Sequence, residues 1–319
     1  MIDYQWPSAF TKVPKAKFKN SIRKNIFLLR KIESFSKKKY GYTSLVFPSA
    51  RSCIAIIIRY LKLDRSKKVY IDKYSSHCLF NTIGAFTNVS IDLKNPDLLI
   101  FNHKWGLIKK ISKNVFKNSI EDSVDSIILN KSAMFPNKSK FEIFSLPKII
   151  GSISGGLLIC KDKKFIKFCK NEQKKNIKLG IYQSKQKFLD KEKKRNFDTW
   201  LYHEARNTYV DTNALKDIEN NLKNFELNKL IILKRLKDIQ KIYKNDFYLH
   251  NRVGPVFPIK TSFLKNKKYL KKIFLLRRHS INLNDKEKFE EYFLIPIHFE
   301  ISDKMFLKYL NLVKENLRK

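Results

Sequence analysis

The sequence predicts an α/β fold, with a large domain built on a mostly parallel sheet between helices and a smaller α+β domain at the C-terminal end. Three observations carry this. Short, nearly continuous apolar runs recur through the first half of the chain, at 43–47 (TSLVF), 68–72 (KVYID), 89–92 (VSID), 97–102 (DLLIFN), 141–146 (FEIFSL) and 155–160 (GGLLIC). Runs of that length without a polar face read as strands buried on both sides. Helical patterns lie between several of them, giving the βα alternation of a sheet covered on both faces. The texture then changes after about residue 165.

Taken in order, 52–62 (SCIAIIIRYLK) is apolar nearly all round and reads as a buried helix, and 78–86 reads as the next one. Residues 161–195 are dense in lysine and read as a solvated helix and loop. The stretch 216–245 reads as one long amphipathic helix, 253–262 as a strand, 268–280 as a helix, and 292–319 as a strand (YFLIPIHF) with a closing helix. These features put the large domain at 1–215 and the small one at 216–319. No internal repeat is visible.

Composition narrows the class. Of 319 residues, 43% are hydrophobic and 13% aromatic, enough for a sizeable core. Lysine and arginine number 67 against 29 acids, a formal charge of +38. That balance suits a polyanion partner. The charges are spread along the chain, lysine dominates, and Ile, Asn and Phe are abundant too, so background composition is the simpler source. MIDYQWPSAF lacks a basic segment followed by an apolar core, and CIAIII at 53–58 is far short of the ~20 residues that span a bilayer. Cys53, Cys78, Cys160 and Cys169 form no CxxC pair, which argues against zinc and a disulfide framework. A cytoplasmic protein without metal is the expectation.

Four stretches carry chemistry. Ser49, Ala50, Arg51 and Ser52 precede the apolar helix; small hydroxyl residues there cap it and leave backbone N–H groups for an anion, plain capping being the simpler account. HKWG (103–106) follows a strand, where His103 would face the crevice of a parallel sheet or be a satisfied structural histidine. SIEDSVDS (119–126) offers Asp122, able to pair with a ring nitrogen, and Glu121, which would face away in an extended backbone; solvated turn acids are the alternative. In FEIFSLPKIIGSISGG, Lys148 sits alone among Leu146, Pro147, Ile149 and Ile150. Desolvation would lower the pKa of such an amine and make it a nucleophile, unless it snorkels to water.

The order of these signals resembles the DegT/DnrJ/EryC1/StrS family of pyridoxal-phosphate (PLP) sugar aminotransferases, of aspartate aminotransferase fold type I. The family's forms are a small-residue SGT-like helix start, HxYG or HxFG, EDAA(Q/H), and FSxxxxK followed by (E/D)GG. SKKKYG (36–41) and LIPIHFEIS (294–302) match further family segments, so the resemblance spans nearly the whole chain.

The resemblance implies that Lys148 binds PLP covalently and shuttles a proton, and that Asp122 keeps the pyridine nitrogen protonated. Ser145 and the turn Ser49, Ala50, Arg51, Ser52 would hold the phosphate. His77, or else Tyr74, would stack on the ring. His103 would lie nearby as a support. Asp125 stands where the family has Gln or His beside the PLP hydroxyl, and would need its own partner.

Other departures are a shorter serine-to-lysine spacing with Pro147 inserted, Ser154 in place of an acid before the glycines, and ARNTYVD (205–211) as a weak counterpart of the family's NxRM-like segment. The implied reaction is transfer of an amino group, from glutamate, to a keto sugar on a nucleotide diphosphate for surface polysaccharide, in a homodimer. A catalytically retired member and a polyanion-binding protein are the alternatives.

Overall fold

The computed structural model of the chain describes residues 7, 20–72, 75–110, 118–192, 205–243, 251–266, 268–270, 276–279 and 290–317. Its centre is a seven-stranded sheet, built from β1 (Ser44–Phe47), β2 (Lys68–Tyr70), β3 (Asn88–Ser90), β4 (Leu98–Asn102), β5 (Ser119–Asp122), β7 (Phe141–Ser145) and β8 (Gly156–Cys160). The spatial order is β1-β8-β7-β5-β4-β2-β3. Strands β3, β2, β4, β5 and β7 pair in parallel, and β8 runs antiparallel to both β7 and β1. The C-terminal ends of the parallel strands therefore share one edge of the sheet with the N-terminal end of β8.

Side-chain alternation explains why this sheet is covered twice. On β1, Leu45 and Phe47 point to the layer of α2 (Ala50–Tyr60), where Cys53, Ile54, Ile57 and Ile58 meet Phe141 and Ile143 of β7 and Phe165 of α5 (Lys163–Lys175). Val46 points the other way, with Phe144, Leu157 and Ile159, to a layer formed by Leu28 and Ile32 of α1 (Ile22–Tyr40) and by Ala214, Leu215 and Ile218. A fully buried side chain such as Ile57 contributes about 1.5–3 kcal/mol, so two such layers dominate the stability. The remaining helices of this half are α3 (His77–Gly84), α4 (Leu146–Ile150) and α6 (Ile177–Glu192).

Several boundaries differ from the sequence expectation. The 161–195 stretch folds as α5 and α6, and α5 buries Phe165, Cys169 and Glu172 instead of lying wholly in solvent. The long helix expected over 216–245 is two, α7 (Thr212–Lys223) and α8 (Phe225–Ile242), broken at Asn224, whose backbone leaves the helical region. Part of the helix expected at 268–280 is instead strand β11 (Leu276–His279), which pairs with β12 (Glu290–Pro296); β12 pairs in turn with β10 (Val256–Lys260). The short strand β9 (Arg252–Val253) pairs with β6 (Ile127–Ile128), and α9 (Asp303–Asn316) closes the chain. Among the described residues no helix is long and apolar enough to cross a membrane.

Candidate active site

Lys148 lies in α4, the short helix that follows β7 directly. Pro147 is tolerated in its first turn because the proline's missing N–H has no helical acceptor there. Leu146, Pro147, Ile149 and Ile150 are buried, yet the ammonium is not isolated: its Nζ lies 2.5 Å from Asp125 Oδ1. This corrects the expectation of a lowered pKa. Burial pushes the amine down, but the Asp125 carboxylate outweighs it and the pKa is raised. The extra acid thus has a partner, and the partner is Lys148.

Asp122 ends β5, where its carbonyl accepts from the His103 N–H at 2.9 Å. The residue is 4% exposed and, among the described residues, its carboxyl accepts one hydrogen bond, from Val124 N–H at 3.3 Å. Burial pushes its pKa up to about 7; Asp125 adds to the rise, and Lys148 and Lys104 oppose it. It is no solvated turn residue. Glu121 does face the opposite way, and it too is buried: Oε2 accepts from His103 Nε2–H at 2.7 Å and from Asn137 Nδ2 at 3.0 Å, and Oε1 from Asn137 N–H at 2.8 Å.

His103 resolves as the structural histidine. Its ring is fully buried, Nδ1 accepts the Lys109 N–H at 3.0 Å, and the proton on Nε2 goes to Glu121. The following turn is locked as well. Gly106 takes φ 85°, and a Cβ there would lie 2.6 Å from the Val253 carbonyl carbon, so only glycine fits. Lys104, between these two fixed points, is half-buried; burial lowers its pKa to about 8, against the attraction of Asp72, Asp125 and Asp122. Asp72 is itself buried and ion-paired with Lys109. Sequence reasoning passed over Lys104 although it stands inside HKWG, because its setting depends on acids at the ends of two other strands, β2 and β5.

At the other end of the crevice, Ser49 caps α2: its Oγ accepts the Ser52 N–H at 3.2 Å and lies 3.1 Å from Ser52 Oγ. Ala50 and Arg51 form the first turn, whose N–H groups have no intrahelical acceptor in any α-helix. Gly156 is register partner of both Phe47 and Ser145, which places the Ser49 turn and Ser145 on the strands flanking it. A Cβ on Gly156 would lie 2.3 Å from the Ser49 carbonyl, so the glycine is what lets β8 approach the helix start.

His77 opens α3; it is exposed, with Nδ1 3.3 Å from Asn81 Nδ2. Tyr74, the other ring-stacking candidate, lies outside the described residues. The next residue, Cys78, acts electrostatically on Lys148, so the start of α3 borders the same crevice.

The structure thus brings Asp122, Asp125 and Lys148 into one electrostatic group and puts Ser49 to Ser52 with Ser145 around Gly156, all at one edge of the sheet. That donor set suits PLP: a buried carboxyl for a cationic ring nitrogen, an amine for an aldehyde, and a helix start with hydroxyls for a phosphate.

Comparison with known proteins agrees. A family model described as "Putative PLP-dependent aminotransferase" matches residues 32–317. No curated protein matches the sequence. Among solved structures, the PLP form of "Putative sugar aminotransferase Spr1654" from Streptococcus pneumoniae superposes with a TM-score of 0.58 at 10% identity, over 94% of this chain and 93% of that one. The aminotransferase TlmJ from Streptoalloteichus hindustanus gives 0.61 at 9%, over 93% and 91%. DesI, solved in the presence of its TDP-sugar product, gives 0.60 at 10%, over 93% and 91%. The fold is that of the PLP-dependent transferases of type I, and the chain belongs to the PLP-dependent aminotransferase family.

Proposed function

We propose that this aminotransferase moves an amino group from glutamate to a keto sugar carried on a nucleotide diphosphate, as a DegT/DnrJ/EryC1/StrS-type enzyme. The observation that carries the site assignment is the shared placement of Lys148 and Asp122 at the C-terminal edge of β5 and β7, each within electrostatic reach of the other. The sugar assignment is supported by likeness to structures named as sugar aminotransferases and to one determined with a TDP-sugar.

PLP, when bound, supplies an electron sink that makes the bond next to an amine carbon ionisable. Each residue then has a task of its own. Lys148 Nζ would hold the cofactor and would be the group placed to take up and return a proton. Asp122 would pair as a carboxylate with the protonated ring nitrogen, a cation that would relieve the cost of burying it. Ser49, Ala50, Arg51, Ser52 and Ser145 would hold the phosphate, Asp125 would stay beside Lys148 near the cofactor hydroxyl, and His77, or else Tyr74, would stack on the ring. The charge of +38 favours encounter with a diphosphate-bearing substrate.

A cytoplasmic homodimer serving surface polysaccharide assembly completes the proposal, with residues 1–215 carrying the cofactor and 216–319 forming the smaller unit. The direct test is to incubate the PLP-loaded protein with glutamate and a TDP-keto sugar and follow 2-oxoglutarate and amino sugar by mass spectrometry. Formation of both, in equal amounts, is expected. Conversion of glutamate without sugar amination would refute the acceptor, and no turnover with any amine would refute the reaction.

A further inference from the structure

Behind the crevice, two carboxylates lie side by side. Glu121 on β5 and Glu142 on β7 are register partners, and both are fully buried. Glu121 is served by His103 and Asn137. Glu142 is served by Arg252, which arrives from β9 far along the chain and is likewise fully buried.

The guanidinium touches three places at once. Nη2 donates to Glu142 Oε1 at 2.6 Å, Nη1 to Ser123 Oγ at 2.7 Å, and Nε to the Ala133 carbonyl at 2.8 Å. Ser123 Oγ itself donates to Glu142 Oε1 at 2.7 Å, and the other glutamate oxygen takes the Phe135 N–H at 2.8 Å. Ser123 directly follows Asp122, while Glu142 sits on the strand that runs into Lys148. One planar fork therefore spans the two strands that carry the amine and the acid.

A buried ion pair is a poor way to gain stability, since apolar residues of like volume serve as well or better. What such a fork supplies that apolar packing lacks is fixed direction. We propose that Arg252 is a positioning residue: acting through Ser123 and Glu142, it sets the Asp122 carboxyl against Lys148 at the spacing the cofactor must bridge. This rests on the PLP site proposed above.

The test uses the full chain and two variants. Ser123→Ala cuts the link to Asp122 while keeping the Arg252–Glu142 pair, and Arg252→Lys keeps the charge but cannot reach all three partners. PLP affinity is read from the absorbance of the bound cofactor, borohydride trapping reports attachment at Lys148, and thermal melting of the apoprotein reports the fold. We expect both variants to melt below the wild type, Arg252→Lys the more so, and to bind PLP at least about tenfold more weakly at a temperature where the fold is intact, a loss beyond what the melting shift accounts for. If Arg252→Lys does not fold, Ser123→Ala decides alone.

Wild-type affinity in the variants would overturn the inference and leave the PLP site standing. Affinity that falls only in step with melting temperature would reduce Arg252 to a structural role and overturn it as well. A wild-type protein that takes no PLP would overturn the site and, with it, the inference.

Discussion

Glu121 and Asp122 are consecutive residues of β5, and both are buried. Glu121 collects donors from His103 Nε2, from the Asn137 side chain and backbone, and from Ser139 N–H. Burial pushes its pKa up, but these hydrogen bonds outweigh burial and hold it below the usual carboxylate range. Asp122 faces the crevice with a single weak donor, and its pKa climbs to about 7. Two acids in one strand thus divide the work, one spent on holding the turns beyond β4 and β5 together, the other left short of partners and ready for a cationic ligand. A buried carboxyl with so few donors, next to Asp125 and Lys148, suits a cationic ligand.

Breaking the satisfied acid has the largest effect. Glu121→Ala strands the His103, Asn137 and Ser139 donors in a dry setting, and about 5 kcal/mol of stability is lost in urea unfolding. A loss under about 1 kcal/mol would mean that Glu121 does not organise these turns.

Changing the sparsely bonded acid, Asp122, has the opposite sign. Because the folded pKa of Asp122 is raised, the folded apoprotein holds a proton that the unfolded chain releases, so stability falls as pH rises from about 4 to about 7. Asp122→Asn removes that penalty. Above pH 7 the apo variant gains on the order of 4 kcal/mol over the wild type, and the gain vanishes near pH 4. PLP raises the melting temperature of the wild type but not of the variant. A variant less stable than the wild type at pH 8 would contradict this.

The smallest effect sharpens the contrast at Lys148. Asp125→Asn removes the carboxylate that holds the amine charged, so a larger fraction is unprotonated at pH 8. In the apoprotein, labelling of Lys148 by an amine-selective reagent, followed by peptide mass spectrometry, should speed up severalfold. Unchanged labelling would show that Asp125 does not control the amine.

The same contrast explains what the sequence could and could not reveal. The apolar runs of β1, β4, β7 and β8 and the α2 cap at Ser49 are local patterns, and each stands where the sequence put it; Lys148 does lie among apolar residues, but its amine is paired with Asp125. Strand β5 was obscured because its acids look like a solvated turn; the partners of Glu121, namely His103, Asn137 and Ser139, come from outside the strand. The reversal of the Lys148 pKa has the same origin, since desolvation is visible in the neighbouring residues whereas Asp125 approaches only through the turn after β5. Strand β11 is stabilised by its pairing with β12, a contact that a periodicity reading of Leu276 to His279 does not contain. His103 left two readings open in the sequence, and its two hydrogen bonds select one.

The central claim is that Lys148 and Asp122 hold PLP between them, and one measurement bears on it most directly: titrate the purified protein and Lys148→Ala with PLP, record the visible spectrum, reduce with borohydride, and map the labelled peptide. A cofactor band and a label at Lys148 in the wild type, both lost in the variant, are the predicted result. A label on another lysine, or identical spectra for the two proteins, would contradict the account.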